Sequence, residues 1–154
     1  MNLDRPFRSL RRPLDSVAIA LQPLCGLVVR LYLFRVFFLS GLTKLRDWDS
    51  TLYLFTNEYR VPLLPPQVAA VMGAGGELIF PILLVLGWQS RLAAVGLFVV
   101  NLVAVLSYPD LQIVMIKDHI LWAVLIAYVF VHGAGRWGLD TYTKPFQRNE
   151  IPRH

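Results

Sequence analysis

Four apolar runs, roughly residues 17–43, 67–88, 91–108 and 119–135, constrain this chain more than any other feature. A hydrocarbon core about 30 Å thick is crossed by about 20 helical residues, with a working range of about 17 to 25. Each run therefore fits one crossing. Composition agrees, since 56% hydrophobic and 16% charged residues are too apolar for an ordinary water-facing domain. The expected fold is an all-α membrane protein, a four-transmembrane-helix antiparallel bundle forming a single domain over residues 1–154, with tails at 1–15 and 137–154.

The first run is the longest and Pro23 divides it, so residues 14–22 are expected to form a tilted or interfacial lead-in. No small-residue cleavage site follows the basic start "RPFRSLRRP", and Pro23 and Leu24 make a poor lipoprotein box before Cys25, so an uncleaved first helix is expected. A single cysteine excludes an intrachain disulfide and a cysteine metal cluster. The net charge of +5 raises the possibility of nucleic acid, but its distribution refutes it. Arg5, Arg8, Arg11, Arg12, Arg91, Arg136, Lys144, Arg148 and Arg153 fall on one side of an alternating four-helix topology, against Arg46, Arg60 and Lys117 on the other. The positive-inside rule then puts both termini in the cytoplasm.

Between the first two runs lies "DWDSTLYLFTNEYRVPLLPP". Trp48, Leu52, Phe55 and Tyr59 recur at helical spacing, which predicts an extra amphipathic interfacial helix over about 47–60, ended by Pro62, Pro65 and Pro66. It either caps the bundle or forms a lid over an outward-facing site. The turn "GWQSR" is short enough to force runs two and three into an antiparallel hairpin.

The chemistry concentrates on charges inside the runs. A central Arg costs about 2.5–3.5 kcal/mol even on insertion scales, so Arg30 and Arg35 need partners. On a helix, Arg30, Phe34, Phe37, Gly41 and Lys44 share one narrow sector, and Arg35 points about 140° away. Glu77 is the one carboxylate well inside a run and is the expected counter-ion. Gly73 lies one turn earlier on its face and permits close helix approach, and Asn101 and Tyr128 are expected at similar depth. These five residues, Arg30, Arg35, Glu77, Asn101 and Tyr128, form the candidate buried polar cluster. Two readings stay open: a neutralising pair that fixes helix register, or a pocket for an anionic or quinone-like head group or a proton relay. Lys44, at the outer boundary, is read as an anchor that snorkels to the head groups. Asp118 and His119 open the fourth span beside it, either as a helix start complementing the dipole or as a titrating pair. No catalytic motif and no metal-ligand spacing appears.

Arg30, "SGLTK" with Gly41 and Lys44, Glu77 in a glycine-rich second span, "LGWQSR", and "GAGRWGLD" after the fourth span together resemble the DoxX family of small bacterial four-helix membrane proteins, over roughly residues 24–142. The resemblance implies a membrane component associated with redox proteins; some relatives are membrane subunits of thiosulfate:quinone oxidoreductase. It implies redox protein partners and a bound quinone, with no cofactor ligated by this chain and no autonomous enzyme activity. This sequence lacks the fused soluble portion of a thiosulfate-oxidising subunit. The alternative is a non-enzymatic scaffold or assembly factor with a purely structural Arg–Glu pair. The expected surroundings are the lipid bilayer and a homo-oligomer.

Overall fold

A computed structural model of the chain describes residues 5–108 and 113–143, with side chains from 13 to 108 and 115 to 142. The order is α1 (Arg5–Arg46), α2 (Trp48–Asn57), α3 (Pro66–Leu86), α4 (Ser90–Ser107), α5 (Ile113–His132), a 3-10 turn (Gly135–Trp137) and α6 (Asp140–Thr143). Among the described residues four helices are long and apolar enough to cross a membrane: Pro13–Arg46 within α1, then α3, α4, and Met115–His132 within α5. The architecture is the expected all-α bundle. α1 packs on α3 and α5, and α4 packs between the same two helices, so the four long helices close into a ring.

Two helix boundaries differ from the sequence expectation. α1 runs through Pro13 and Pro23 without a break. The lead-in before Pro23 is exposed on nearly every residue, so few neighbours constrain the chain there. α5 begins at Ile113, ahead of Lys117 and Asp118, and both of these charges are exposed. They interrupt the apolar run without interrupting the helix, so Asp118 sits inside α5 and is not its start. The basic tails at 1–4 and 144–154, the side chains of Arg5 to Arg12, and Pro109 lie outside the described residues.

The core joins Leu33 and Phe37 of α1, Leu84 of α3, Ala93, Ala94 and Leu97 of α4, and Ile126 and Val129 of α5. A second cluster sets Phe55 of α2 on Ala69 and Ala70 of α3, with Trp48, Leu52, Tyr59 and Val61 around it. The aromatic stripe read in the sequence is therefore the buried face of α2. Asp47 caps this helix: its carboxylate accepts from the Ser50 amide at 3.0 Å and the Ser50 hydroxyl at 2.7 Å.

Glycine determines how closely the chain packs at the α3–α4 turn. Gly87 ends α3 in the left-handed region at φ 66°, where a Cβ would lie 2.5 Å from the Gly138 backbone. The segment after α5 docks there, with Leu139 N–H donating to Leu86 O at 3.1 Å and Asp140 N–H to Gly87 O at 2.8 Å.

Candidate functional site

The intramembrane ion pair joins Glu77 to Lys44, not to either arginine. Lys44 Nζ lies 2.6 Å from Glu77 Oε2 and donates a second bond to Ser40 Oγ at 3.0 Å. Gly41, one turn before Lys44, brings the helices together: a Cβ there would fall 2.9–3.1 Å from Leu78 and Glu77 side-chain atoms. That contact places Gly41 level with Glu77, near the middle of the 21-residue α3. Lys44 is therefore not a boundary anchor. α1 stops at Arg46 and α2 takes over beside the first half of α3, while helical Cβ atoms lean toward the helix start and carry the ammonium back to Glu77.

The same lean explains Arg30. Its guanidinium is fully buried and reaches the far end of α3, where Nη1 donates to Leu84 O and Val85 O, both at 3.3 Å, and Nε donates to Gly26 O. A cation on the last carbonyls of a helix complements the macrodipole; it supplies a donor to Val85 O and a second one to Leu84 O, which already accepts from the Gly87 amide at 3.1 Å. Nη2 has no hydrogen-bond partner among the described residues. Arg35 does not join the cluster; it is exposed on the outer face of α1. By the Gly41 register it stands near the level of Leu83, about 5 Å from the end of α3, so its long side chain can snorkel toward the head groups.

Asn101 and His119 form a second polar pair. Asn101 Nδ2 donates to His119 O at 3.0 Å, which orients the amide so that Oδ1, 2.8 Å from His119 Nδ1, must accept. Neutral His119 therefore carries its proton on Nδ1 and leaves Nε2 with a free lone pair. A Cβ on Gly76 would meet Val100, so Asn101 lies level with Gly75 and Gly76, in the layer of Glu77. Asp118, beside it in sequence, is exposed and does not line the cavity that His119 lines. Tyr128 is also separate: it stacks on His132 with ring centroids 4.3 Å apart, further along α5 and away from the cavity.

Lys44 and Glu77, and His119 of the second pair, line one cavity of about 1010 Å³, with Asn101 buried behind His119. Its wall is mainly apolar, contributed by Phe37 and Val36 of α1, Phe55 of α2, Phe80 of α3, Val103 of α4 and Trp122 of α5. The polar groups are Ser40, Lys44, Glu77, His119, Tyr59, Tyr108 and Ser107. Tyr59 meets Phe55 and Tyr108 edge to face, at centroid distances of 4.9 and 5.5 Å. Burial, reinforced by Tyr108, Glu58 and Glu77, raises the Tyr59 phenol above its ordinary pKa. The Ser107 hydroxyl is buried with no partner among the described residues. Sequence reading missed Ser40, Ser107, Tyr108 and Trp122, and placed Tyr59 on the α2 stripe without assigning it to the polar cluster. Only Ser40 had a local signal, lying one turn from Lys44 on the same face. Among the described residues no group of three or more His, Cys, Asp or Glu is placed to hold a metal ion.

Fold and site together define a four-helix membrane protein with an ion pair and an imidazole inside an apolar cavity. The DoxX family pattern matches residues 26–109, and an uncharacterized protein of Haemophilus influenzae is 30% identical over 127 residues, covering 77% of this chain and 82% of the relative. The chain belongs to the DoxX family. No solved structure matches.

Proposed function

We propose that this protein is the membrane component of a redox-associated complex and holds a quinone-class amphiphile in the cavity beside Lys44 and Glu77. The observation that carries this reading is a largely apolar cavity of about 1010 Å³ within membrane-spanning helices, with an ion pair on its wall. Small-molecule sites run to about 300–1,000 Å³, mostly apolar with a few placed polar groups. Lys44 and Glu77 neutralise each other, which favours an uncharged carbonyl or phenol head group over the anion that an excess of arginine suggested. An ammonium has three N–H groups; Glu77 and Ser40 take two, and the third suits a ligand oxygen. His119 Nε2 suits a ligand hydroxyl, from which it can accept a proton. A bound quinone would supply the two-electron chemistry, and partner proteins the other redox centres.

The test is extraction and mass spectrometry of protein purified in mild detergent. Wild type should carry a prenylquinone, and Glu77→Gln and Lys44→Met should carry much less. Folded wild type with no quinone after purification from quinone-containing membranes would sink the proposal.

A scaffold or assembly role is the second reading. Arg30 favours it, since this buried charge is spent on helix α3 and does not reach the cavity. Affinity purification from native membranes would favour it by returning a stable protein complex without a bound small molecule. For topology the reading is a bacterial inner membrane with both termini cytoplasmic, because Arg91 and Arg136 lie at the end of the bundle where α5 leaves. Reporter fusions at the two termini check it, and a periplasmic signal from either would refute it.

A further inference from the structure

The cavity is open on one side. Its wall includes Val71, Met72 and Ile79 of α3 and Val99 of α4, all of which are exposed on the outside of the bundle. Val71, Gly75 and Ile79 recur every fourth residue and so lie on one stripe of α3. In the middle of that stripe a Cβ on Gly75 would meet nothing within 4 Å. Nearby the hairpin is shut: a Cβ on Gly76 would lie 2.7 Å from Val100, and the Phe80 ring covers Gly96. The opening is thus a lateral gap along the outer edge of the α3–α4 seam, bordered by Gly75 and by the exposed Val71, Ile79 and Val99. α3 is about 31 Å long, and Gly75 stands about 14 Å from its start, which puts the gap at hydrocarbon depth.

From this geometry we infer that the ligand reaches the site from the bilayer through the α3–α4 gap at Gly75, and that its hydrocarbon chain lies in that gap. A solute arriving from water would need a polar route, whereas the frame of this opening is made of side chains that acyl chains already touch. A chain passing between Val71, Ile79 and Val99 comes into the space lined by Phe37 and Trp122. The route rests on the proposed function for the identity of the head group alone, because the gap exists whatever the polar pair binds.

Trp122 is the reporter; its indole N–H also meets the Tyr32 hydroxyl at 3.4 Å on the exposed α1–α5 side, so the route is read from the part of its quenching that a change at Gly75 removes. In a variant retaining only this tryptophan, with Trp48, Trp88 and Trp137 changed to Phe, reconstitution into dibromostearoyl phosphatidylcholine vesicles should quench its fluorescence. Gly75→Phe fills the gap from a position with free space and should remove the cavity-side part of that quenching, leaving the background from the Tyr32 side. Gly26→Phe, also at a position with no neighbour within 4 Å, should leave it unchanged. Glu77→Gln should not alter it either, so loss of quinone retention in that variant with quenching intact would reject the head-group reading and keep the route. Equal quenching with and without Gly75→Phe would overturn the route, as would quenching by aqueous iodide in place of brominated lipid. If Gly75→Phe fails to fold, Gly75→Leu decides in its place: it should lower the quenching of Trp122, and quenching equal to that of the parent overturns the inference.

Discussion

Arg30 and Asp140 hold the two sides of the α3–α4 turn. Arg30 donates to the last carbonyls of α3 at 3.3 Å, while the Asp140 carboxylate accepts from the Gln89 amide at 2.8 Å, the Ser90 amide at 2.9 Å and the Ser90 hydroxyl at 2.7 Å. A cation ends one helix and an anion begins the next, so each charge complements a macrodipole, and the two also attract each other across the turn. The arginine inside the first membrane span is a structural element of this clamp. Asp140→Ala should lower stability by about 2 kcal/mol, the upper end for a helix cap, because three bonds are lost together. Arg30→Met should cost about 1–3 kcal/mol by leaving Val85 O without its side-chain donor and the end of α3 without its cation. Thermal melts in detergent measure both, and an unchanged midpoint for Arg30→Met would remove the clamp.

Gly87 is the position where this clamp leaves no room. Its φ of 66° already costs a side-chain-bearing residue about 1 kcal/mol or more. The added methyl would also meet the Gly138 backbone at 2.5 Å and Arg30 Nη1 at 2.8 Å. Gly87→Ala should therefore destabilise more than Asp140→Ala. A smaller shift in melting temperature would mean that the docked segment moves away without cost.

The long-range order of this molecule was legible where a local signal encoded it. Run lengths located the membrane helices, the short "GWQSR" turn encoded the hairpin, and the Trp48-to-Tyr59 stripe encoded the buried face of α2. Glu77 was legible as the buried carboxylate, but its partner was not. Counting rise per residue places Cα atoms, whereas Lys44 and Arg30 each act a turn or so back toward the start of α1. The packing of Gly41 against Glu77 further brought Lys44 level with the middle of α3, and no local pattern in α1 announced that register. The Asp140 contact spans some fifty residues and has no periodic signature at all.

Removing one partner of the Lys44–Glu77 pair leaves a charge inside the bundle. Side chains only 20% and 11% exposed put this pair on the buried side of the usual scale, where such a loss costs about 3–5 kcal/mol. Lys44→Met and Glu77→Leu should each approach the lower end of that range. The double substitution should recover most of the loss, because two apolar side chains then meet where two charges did. A double mutant as unstable as the sum of its parents would show that the residues act independently.

Tyr59 gives the site an alkaline signature. Burial and the negative groups around it raise its folded-state pKa above the ordinary phenol value near 10, so the folded chain holds the phenolic proton more tightly than the unfolded chain does. The stability this contributes is fully present below the unfolded value and is lost as pH rises through the folded one. Ultraviolet titration of tyrosinate should show a transition above about pH 10 that Tyr59→Phe abolishes. Because Glu77 is one of the charges acting on the phenol, Glu77→Gln should move that transition downward. Base-induced unfolding of Tyr59→Phe should in turn shift to higher pH, and no such shift would place the phenol in water and outside the cavity wall.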